Sequence, residues 1–474
     1  MEEVIEALKS ALGADAVLTG DEIAERYKHD WRGETSFTPR ALMRPRSTDD
    51  VATILRICHE HGQPVVPQSG MTGLCGGATP RAEDVALSLE RMSGVEEIDA
   101  AASTLTALAG TPLQTIQEAA QAAGFLCALD LGARGSCLIG GNVSTNAGGN
   151  RVLRYGMARD LVLGIEVVLA DGTVLRSLNK MIKNNSGYDL KQLFIGSEGT
   201  LGIVTRVVLR LHPLPRSTCT ALCAVRDYDR VVRLLRHAQN QLAGTLSAFE
   251  AMWPEYYDLV TTRFPGNTAP LAAGHGLYVL LDALGVDQAA DQSRFEAVLA
   301  SALDSGIIED ASIAQSQRQA ASFWKLRDSI ADAQQHWSPN TGFDVSIPIG
   351  QLGIFVEACR AAIAKRFPGA EQIFFGHVAD SNVHVVVHMP GADAARFPKR
   401  EIDHAIYELV RERQGCVSAE HGIGTRKKPF LAYSRTPDEI RLMQTIKQAL
   451  DPKGILNAGK VLPDPDTEGS IVKC

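Results

Sequence analysis

Residues 64–80 read PVVPQSGMTGLCGGATP. A short apolar run leads into Gly70, Gly73, Gly76 and Gly77, interleaved with Ser69 and Thr72. Glycine at this density lets the chain turn repeatedly, so that successive backbone N–H groups face one anion. Taken alone, the segment is equally well explained as an ordinary surface loop, so its neighbours decide. LGARGSCLIGGNVSTNAGGNRVLRYG (131–156) is rich in Gly, Ser, Thr and Asn and too long for a plain connector. FIGSEGTLGIVTRVVLRL (194–211) runs from Gly, Ser and Glu into an alternating strand. Three such loops in one region predict an extended, phosphate-bearing dinucleotide laid along backbone.

The loops do not make a classical nicotinamide site. GMTGLCGG lacks the G-x-G-x-x-G spacing between strand and helix, no acidic residue follows at the required distance, and there is no Walker GKS/T. The chain has 474 residues, 45% of them apolar and 22% charged, which suits a soluble protein of two domains. A formal net charge of −8 argues against a nucleic-acid surface. The acidic, amphipathic start MEEVIEALKSALG is neither a secretory nor a transit signal, and no window predicts a membrane span. Nine scattered cysteines without a CxxC pair suggest a reducing cytoplasm rather than a thiolate metal site.

Around the loops the pattern is mixed α and β. RSTDDVATILRICHEHG (46–62) carries helix starters at Ser47 and Asp50 and a terminal glycine. TPLQTIQEAAQAAG (111–124) predicts a helix with Thr111 as N-cap, Pro112 at the first helical position and Gly124 as stop. LVLGIEVVLADGTVLRS (161–177) reads as two strands around Asp171-Gly172. After HPLPRS (212–217) helical periods dominate, at about 228–242, 288–304, 318–336, 350–366 and 397–414, with strands such as HGLYVLLDAL (275–284) between them. The boundary between domains is placed near 216. TPDEIRLMQTIKQALDPKG opens with a Thr436/Glu439 capping box and is expected to stop at Gly454.

FFGHVADSNVHVVVH (374–388) holds three of the twelve histidines. His377 and His384 are seven positions apart, which suits neither one helix face nor one strand face. They converge if 379–382 is a turn; beyond it, period two puts His384, Val386 and His388 on one strand face. Alone, the stretch reads more readily as satisfied core or surface histidines than as ligands. SAEHGIG (418–424) adds Glu420 and His421, and two histidines with one carboxylate form a common divalent-metal set.

PVVPQSGMTGLCGG, GGNVSTNAGG with RYG after it, and NNSGYDLKQLFIGSEGTLGIVT together resemble the FAD-binding domain of the vanillyl-alcohol oxidase type. GHVADSNVH, SAEHGIG and LDPKGILNAGKVLP extend the resemblance to the D-lactate and D-2-hydroxyglutarate dehydrogenase branch of FAD-linked oxidoreductases, over about residues 40–463. It implies an α+β chain: an FAD-binding domain of the PCMH type with two lobes (1–215), an α+β substrate or cap domain (216–415), and a C-terminal segment (416–474) returning to the FAD domain.

The resemblance also implies roles for individual residues. Pro67, Ser69, Gly70, Met71, Thr72 and Gly73 would take the FAD pyrophosphate. Ser136, Gly140, Gly141, Ser144, Thr145, Asn146 and Gly149 would flank the isoalloxazine. Glu198, Gly202, Ile203 and Val204 would sit by its ribityl and pyrimidine end, with Asn457 joining from the C-terminal segment. His377, His384 and Glu420 would hold a divalent metal, usually zinc; His421 would be the base and Arg327 the cation for the substrate carboxylate. Met71 stands where some relatives tether the flavin through histidine, so non-covalent FAD is expected.

The chemistry expected is hydride transfer from a D-2-hydroxy acid to flavin, with metal and His421 activating the hydroxyl. Members acting on D-2-hydroxyglutarate surround its second carboxylate with a lysine, an asparagine and a Ser or Thr. Here those places hold Gly342, Val386 and Ala331, in a pocket that also includes Phe343, Arg327 and His388. The expected substrate is therefore a monocarboxylate with an apolar tail, D-lactate or a bulkier acid such as D-mandelate, with D-2-hydroxyglutarate the alternative. Rivals of other classes are a zinc hydrolase and a non-redox flavin protein related to alkyl-glycerone-phosphate synthase. An electron-transfer flavoprotein or quinone-linked protein is the expected electron acceptor, and a homodimer is possible.

Overall fold

A computed structural model describes residues 2–242, 244–330 and 337–463. The chain divides into two compact units. The first takes residues up to Gly149, Gly156–Leu214 and everything from Glu420 onward; the second takes Asn150–Tyr155 and Pro215–Ala419.

In the first unit β1 (Val17–Leu18), β2 (Ala41–Met43), β3 (Val65–Gln68) and β4 (Val85–Ser88) form a sheet of order β1-β2-β4-β3. β2, β3 and β4 run parallel. The strands that follow are β5 (Val95–Asp99), β6 (Thr104–Leu108), β7 (Phe125–Leu126), β8 (Val162–Val168), β9 (Val174–Ser177), β10 (Ile203–Arg210) and β11 (His212–Pro213). Five of them make an antiparallel sheet of order β5-β6-β10-β8-β9, and β7 pairs with β11. The expected hairpin is β8–β9, closed where Gly172 (φ +86°) donates to Leu169 O.

The helix Thr48–His61 forms for the reasons its sequence suggested. Ser47 Oγ accepts the Asp50 N–H (3.1 Å), the Asp50 carboxylate accepts the Ser47 N–H (3.2 Å), and Gly62 turns the chain at φ +62°. It buries Val51, Ile54, Leu55 and Cys58 in a core with strand residues Met43, Val65, Val85 and Leu87. Each such aliphatic side chain contributes roughly 1.5–3 kcal/mol. Ile455 and Leu456 belong to the same core, and Leu456 bridges to Val65, so the C-terminal segment is packed into the strand that leads to the first glycine loop.

Two helix termini differ from expectation. The second predicted helix runs over Leu113–Ala122 with Pro112 at its N-cap, and Thr111 does not cap it. The Thr111 hydroxyl instead faces Leu108 O (2.7 Å) and accepts the Gly94 N–H (2.9 Å), because a tertiary neighbour competes for it. The last helix, Pro437–Leu450, has its Thr436/Glu439 capping box but ends before Gly454. Pro452 disfavours helical backbone at Asp451, whose ψ is 70°.

The second unit is built on a seven-stranded antiparallel sheet: β12 (Ser217–Val225), β13 (Leu246–Met252), β14 (Leu277–Gly285), β15 (Asp310–Ile313), β16 (Asn340–Ser346), β17 (Glu371–Gly376) and β18 (Asn382–His388). Their order is β15-β12-β14-β13-β17-β18-β16. Helices Tyr228–Leu242, Gln288–Asp304, Gln317–Asp328, Ile349–Arg366 and Lys399–Glu412 accompany it. Part of the helical period expected over 318–336 lies outside the described residues. Among the described residues no helix is long and apolar enough to cross a membrane.

Cross-strand partners share a sheet face. Ala224, Tyr278, Met252, Phe375, His384 and Asp344 are successive partners on six strands of this sheet. Its first four members are apolar or aromatic, and Phe323 and Leu326 of the helix Gln317–Asp328, with Tyr256, pack into their cluster. The last two are ionisable, so one face changes from core to polar site along a single row.

Candidate active site

In the first unit the three glycine loops line one open cavity of about 350 Å³. Pro67 and the run 69–73 form one wall, Gly140, Gly141, Ser144 and Thr145 a second, and Glu198, Gly202, Ile203 and Val204 a third. The loops approach so closely that side chains are excluded. A Cβ on Gly70 would lie 2.2 Å from Ser136 O, and one on Gly141 would lie 2.7 Å from Ser69 Oγ. Met71 itself is left-handed (φ +55°) and lines the cavity. A cleft of this volume, walled by glycine backbone and apolar side chains, fits a dinucleotide cofactor.

Ser136, Asn146, Gly149 and Asn457 stand behind these walls and shape them. Asn146 Oδ1 accepts the Arg159 N–H (3.0 Å), and Asn457 Nδ2 donates to Gly77 O (3.0 Å) and Glu198 O (2.7 Å). Gly149, at φ +94°, donates its N–H to Glu420 Oε2 at 2.9 Å. Glu420 and His421 themselves line the cavity.

Glu198 does more than face the cavity. Its Oε1 accepts the Ile423 N–H (2.6 Å) and its Oε2 the Gly424 N–H (2.9 Å). Burial pushes this carboxyl above its usual range, against the pull of those two N–H groups. Residues 420–424 are therefore held at both ends, Glu420 on Gly149 and Ile423–Gly424 on Glu198. Nothing in the spacing of GSEGTLG announced this clamp.

The second unit brings other predicted residues together. A turn over Val378–Asp380, with Ser381 at φ +73°, carries the chain from His377 into β18. The His377 and His384 rings stand 5.6 Å apart, nearly perpendicular, and both are buried. Arg327, from the helix Gln317–Asp328, is buried beside them, with Nη2 3.3 Å from His377 Nε2. Their common partner is Glu250 of β13, which was not picked out from the sequence. It accepts Arg327 Nε–H at 2.8 Å and lies 2.6 Å from His377 Nδ1. Burial opposes its charge, but His377 and Arg327 outweigh burial and draw its pKa down to about 2. The available signal was a lone carboxylate in the otherwise uncharged strand LSAFEAM.

Asp344 is a second missed carboxylate. It accepts Asn382 Nδ2 (2.9 Å), Ser418 Oγ (3.3 Å) and the Ala419 N–H (3.2 Å), and its Oδ1 lies 4.0 Å from His384 Nδ1. It thereby fixes the chain immediately before Glu420. Val386 is fully buried among Ile373, Phe375, Tyr256 and Trp337, and its cross-strand partner is Gly342. His388 stacks on Trp337 (5.2 Å) with Nδ1 2.9 Å from Pro339 O. Phe343 corrects the pocket expected for it. It pairs with Val385 on the opposite face and packs edge-on against Tyr407 (5.3 Å), because a strand alternates its side chains. Ala331 lies outside the described residues.

Comparison with known proteins bears on this arrangement. Residues 39–177 match the FAD binding domain family, and residues 214–461 match the family of FAD linked oxidases, C-terminal domain. The mitochondrial D-2-hydroxyglutarate dehydrogenase of Bos taurus is 40% identical over 448 residues, 94% of this chain and 81% of that protein. The mitochondrial enzyme of the same name from Arabidopsis thaliana is 38% identical, covering 96% of this chain and 80% of its own. The D-2-hydroxyglutarate dehydrogenase of Xanthomonas citri pv. viticola is 36% identical over 98% of both chains. Among solved structures, p-cresol methylhydroxylase with substrate bound has a TM-score of 0.76 at 18% identity, covering 96% of this chain and 95% of its own. 4-Ethylphenol oxidase from Gulosibacter chungangensis has 0.73 at 20%, covering 98% and 97%. At those identities the structures show the fold alone, and it is that of the vanillyl-alcohol oxidase flavoproteins.

Proposed function

Because the chain belongs to the FAD-linked oxidase family and is an FAD-dependent hydroxyacid dehydrogenase, we propose that it oxidises a D-2-hydroxy monocarboxylate with an apolar tail to the 2-oxo acid. D-Lactate and the bulkier D-mandelate represent the class. The observation that carries this reading is Val386, sealed among aromatic and aliphatic side chains on the strand of His384, with Gly342 as its cross-strand neighbour. The described side chains packed around Val386 are apolar or aromatic, so a second carboxylate brought among them would lose its hydration at a cost of several kcal/mol. The names of the relatives favour a second reading, D-2-hydroxyglutarate, and His388 is the group on the same face that would serve it.

Non-covalent FAD, held by the glycine loops, supplies the hydride acceptor when bound. His421 takes the hydroxyl proton at an imidazole nitrogen, which can accept it as a general base. Arg327 orients the substrate carboxylate with the edge of its guanidinium that Glu250 leaves free. His377, His384 and Glu420 are the residue types that would hold a divalent metal, zinc by ligand type, and the metal would lower the hydroxyl pKa. The histidine half of that set has its support in the second unit, where both rings are buried and close together. Membership of an FAD-linked family removes the hydrolase as a rival. For an electron acceptor we propose an electron-transfer flavoprotein or a quinone-linked protein, and for a location the cytoplasm.

Bleaching of the flavin band (near ~450 nm) by D-lactate, D-mandelate and D-2-hydroxyglutarate tests the reading. Preferential bleaching by the monocarboxylates is expected, and a chelator should slow it without releasing the yellow cofactor. A clear preference for D-2-hydroxyglutarate would overturn the substrate assignment.

A further inference from the structure

Glu250 lies on the same sheet face as Met252, in the strand next to β17, which ends one residue before His377, and its side chain is 1% exposed. Its two oxygens are divided between two groups: Oε1 is 2.6 Å from His377 Nδ1, and Oε2 accepts Arg327 Nε–H at 2.8 Å. Arg327 Nη2 closes the triangle, 3.3 Å from His377 Nε2. A guanidinium nitrogen only donates, so His377 Nε2 accepts. The ring proton therefore sits on Nδ1, where it faces the Glu250 carboxylate. That is the tautomer whose Nε2 lone pair accepts from Arg327 Nη2.

We propose that Glu250 is a positioning residue for the oxidation, one carboxylate that fixes the Nδ1–H tautomer of His377 and at the same time aims the Arg327 guanidinium. A carboxylate suits this place because both of its oxygens accept, and both neighbours present N–H. Tyr256 braces the same corner, its hydroxyl sharing one proton between Leu326 O (2.9 Å) and Arg327 O (2.8 Å), which ties down the backbone of Arg327. The consequence for a metal at His377 rests on the reading given under Proposed function. The consequences for tautomer and arginine do not.

Glu250→Gln tests this. An amide offers one acceptor and one donor, so in either orientation an N–H meets an N–H, at Arg327 Nε or at His377 Nδ1. If the imidazole changes tautomer to relieve the second clash, its new Nε2–H meets Arg327 Nη2. Expected for the purified FAD-loaded variant are unchanged flavin stoichiometry and a KM for the hydroxy acid raised at least about tenfold; its metal should be stripped at roughly tenfold lower chelator concentration. 15N NMR of histidine-labelled, metal-stripped protein should show His377 leaving the Nδ1–H form. Glu250→Asp keeps the charge with a shorter reach and should fall between the two, a graded rescue that mere charge balance for a buried arginine would not require. If Glu250→Gln does not fold, the KM and tautomer of Glu250→Asp decide between the outcomes. A retained Nδ1–H tautomer with wild-type KM in the folded variants overturns the proposal. Wild-type protein that holds no metal would refute the metal reading alone, with the tautomer and KM still deciding on Glu250.

Discussion

Lys460 shows what one residue costs when its surroundings decide its charge. Its Nζ donates to Gly77 O (2.9 Å) and Thr79 O (2.7 Å) beneath the first glycine loop, and burial draws its pKa down from 10.5 to about 7. Below about 7 both the folded and the unfolded chain carry this proton. Between about 7 and its ordinary range only the unfolded chain does, so folding stability rises with pH across that window. The limiting slope is about 1.4 kcal/mol per pH unit. Denaturant titrations from about pH 7 to about pH 9 should therefore show wild type gaining about 2 kcal/mol relative to Lys460→Met. A second prediction at this scale concerns the clamp on residues 420–424. Glu198→Ala frees the Ile423 and Gly424 N–H groups and should cut kcat by about tenfold or more while KM changes little. Steady-state kinetics on flavin-replete variant checks it, and a change confined to KM would count against the clamp.

At the scale of elements, loops lie on loops and helices are started by their own first turns. Gly70→Ala inserts a methyl 2.2 Å from Ser136 O, so the first and second glycine loops must separate. FAD affinity should fall at least about tenfold, read as flavin lost on gel filtration, with the second unit unaffected. The helix Thr48–His61 is started by contacts wholly within four residues, and Ser47→Ala should cost about 1 kcal/mol in urea unfolding. That locality is why Ser47 and Asp50 were readable as a start signal. Thr111 looked the same in sequence and does something else, because Gly94 reaches it from 17 residues away. Ser47 has no such competitor, and a tertiary neighbour is what local spacing cannot reveal.

At the scale of the whole molecule, cofactor and histidine pair fall in different units, so their responses should separate. Removing FAD should raise amide hydrogen exchange around 67–77, 138–149 and 198–204, the loops that line the cavity, since ligand binding stabilises only what it touches or holds. Exchange in β17 and β18 should stay as it is in the holoprotein. Slowed exchange confined to the second unit on adding FAD back would contradict the assignment of the cavity.

Glycine loops, capping boxes, a hairpin turn and the histidine pair were legible along the chain, since each depends on residues a few positions apart and on fixed backbone periods. The family itself was legible because several such motifs are long and specific. What only the tertiary structure decided are the meetings between distant segments: Glu250 between Arg327 and His377, Asp344 beside His384, Glu198 under the 420–424 backbone, and Phe343 on the far side of its sheet. A buried carboxylate acquires its role from donors contributed by distant segments, and strand register and loop packing, which no short window contains, select them.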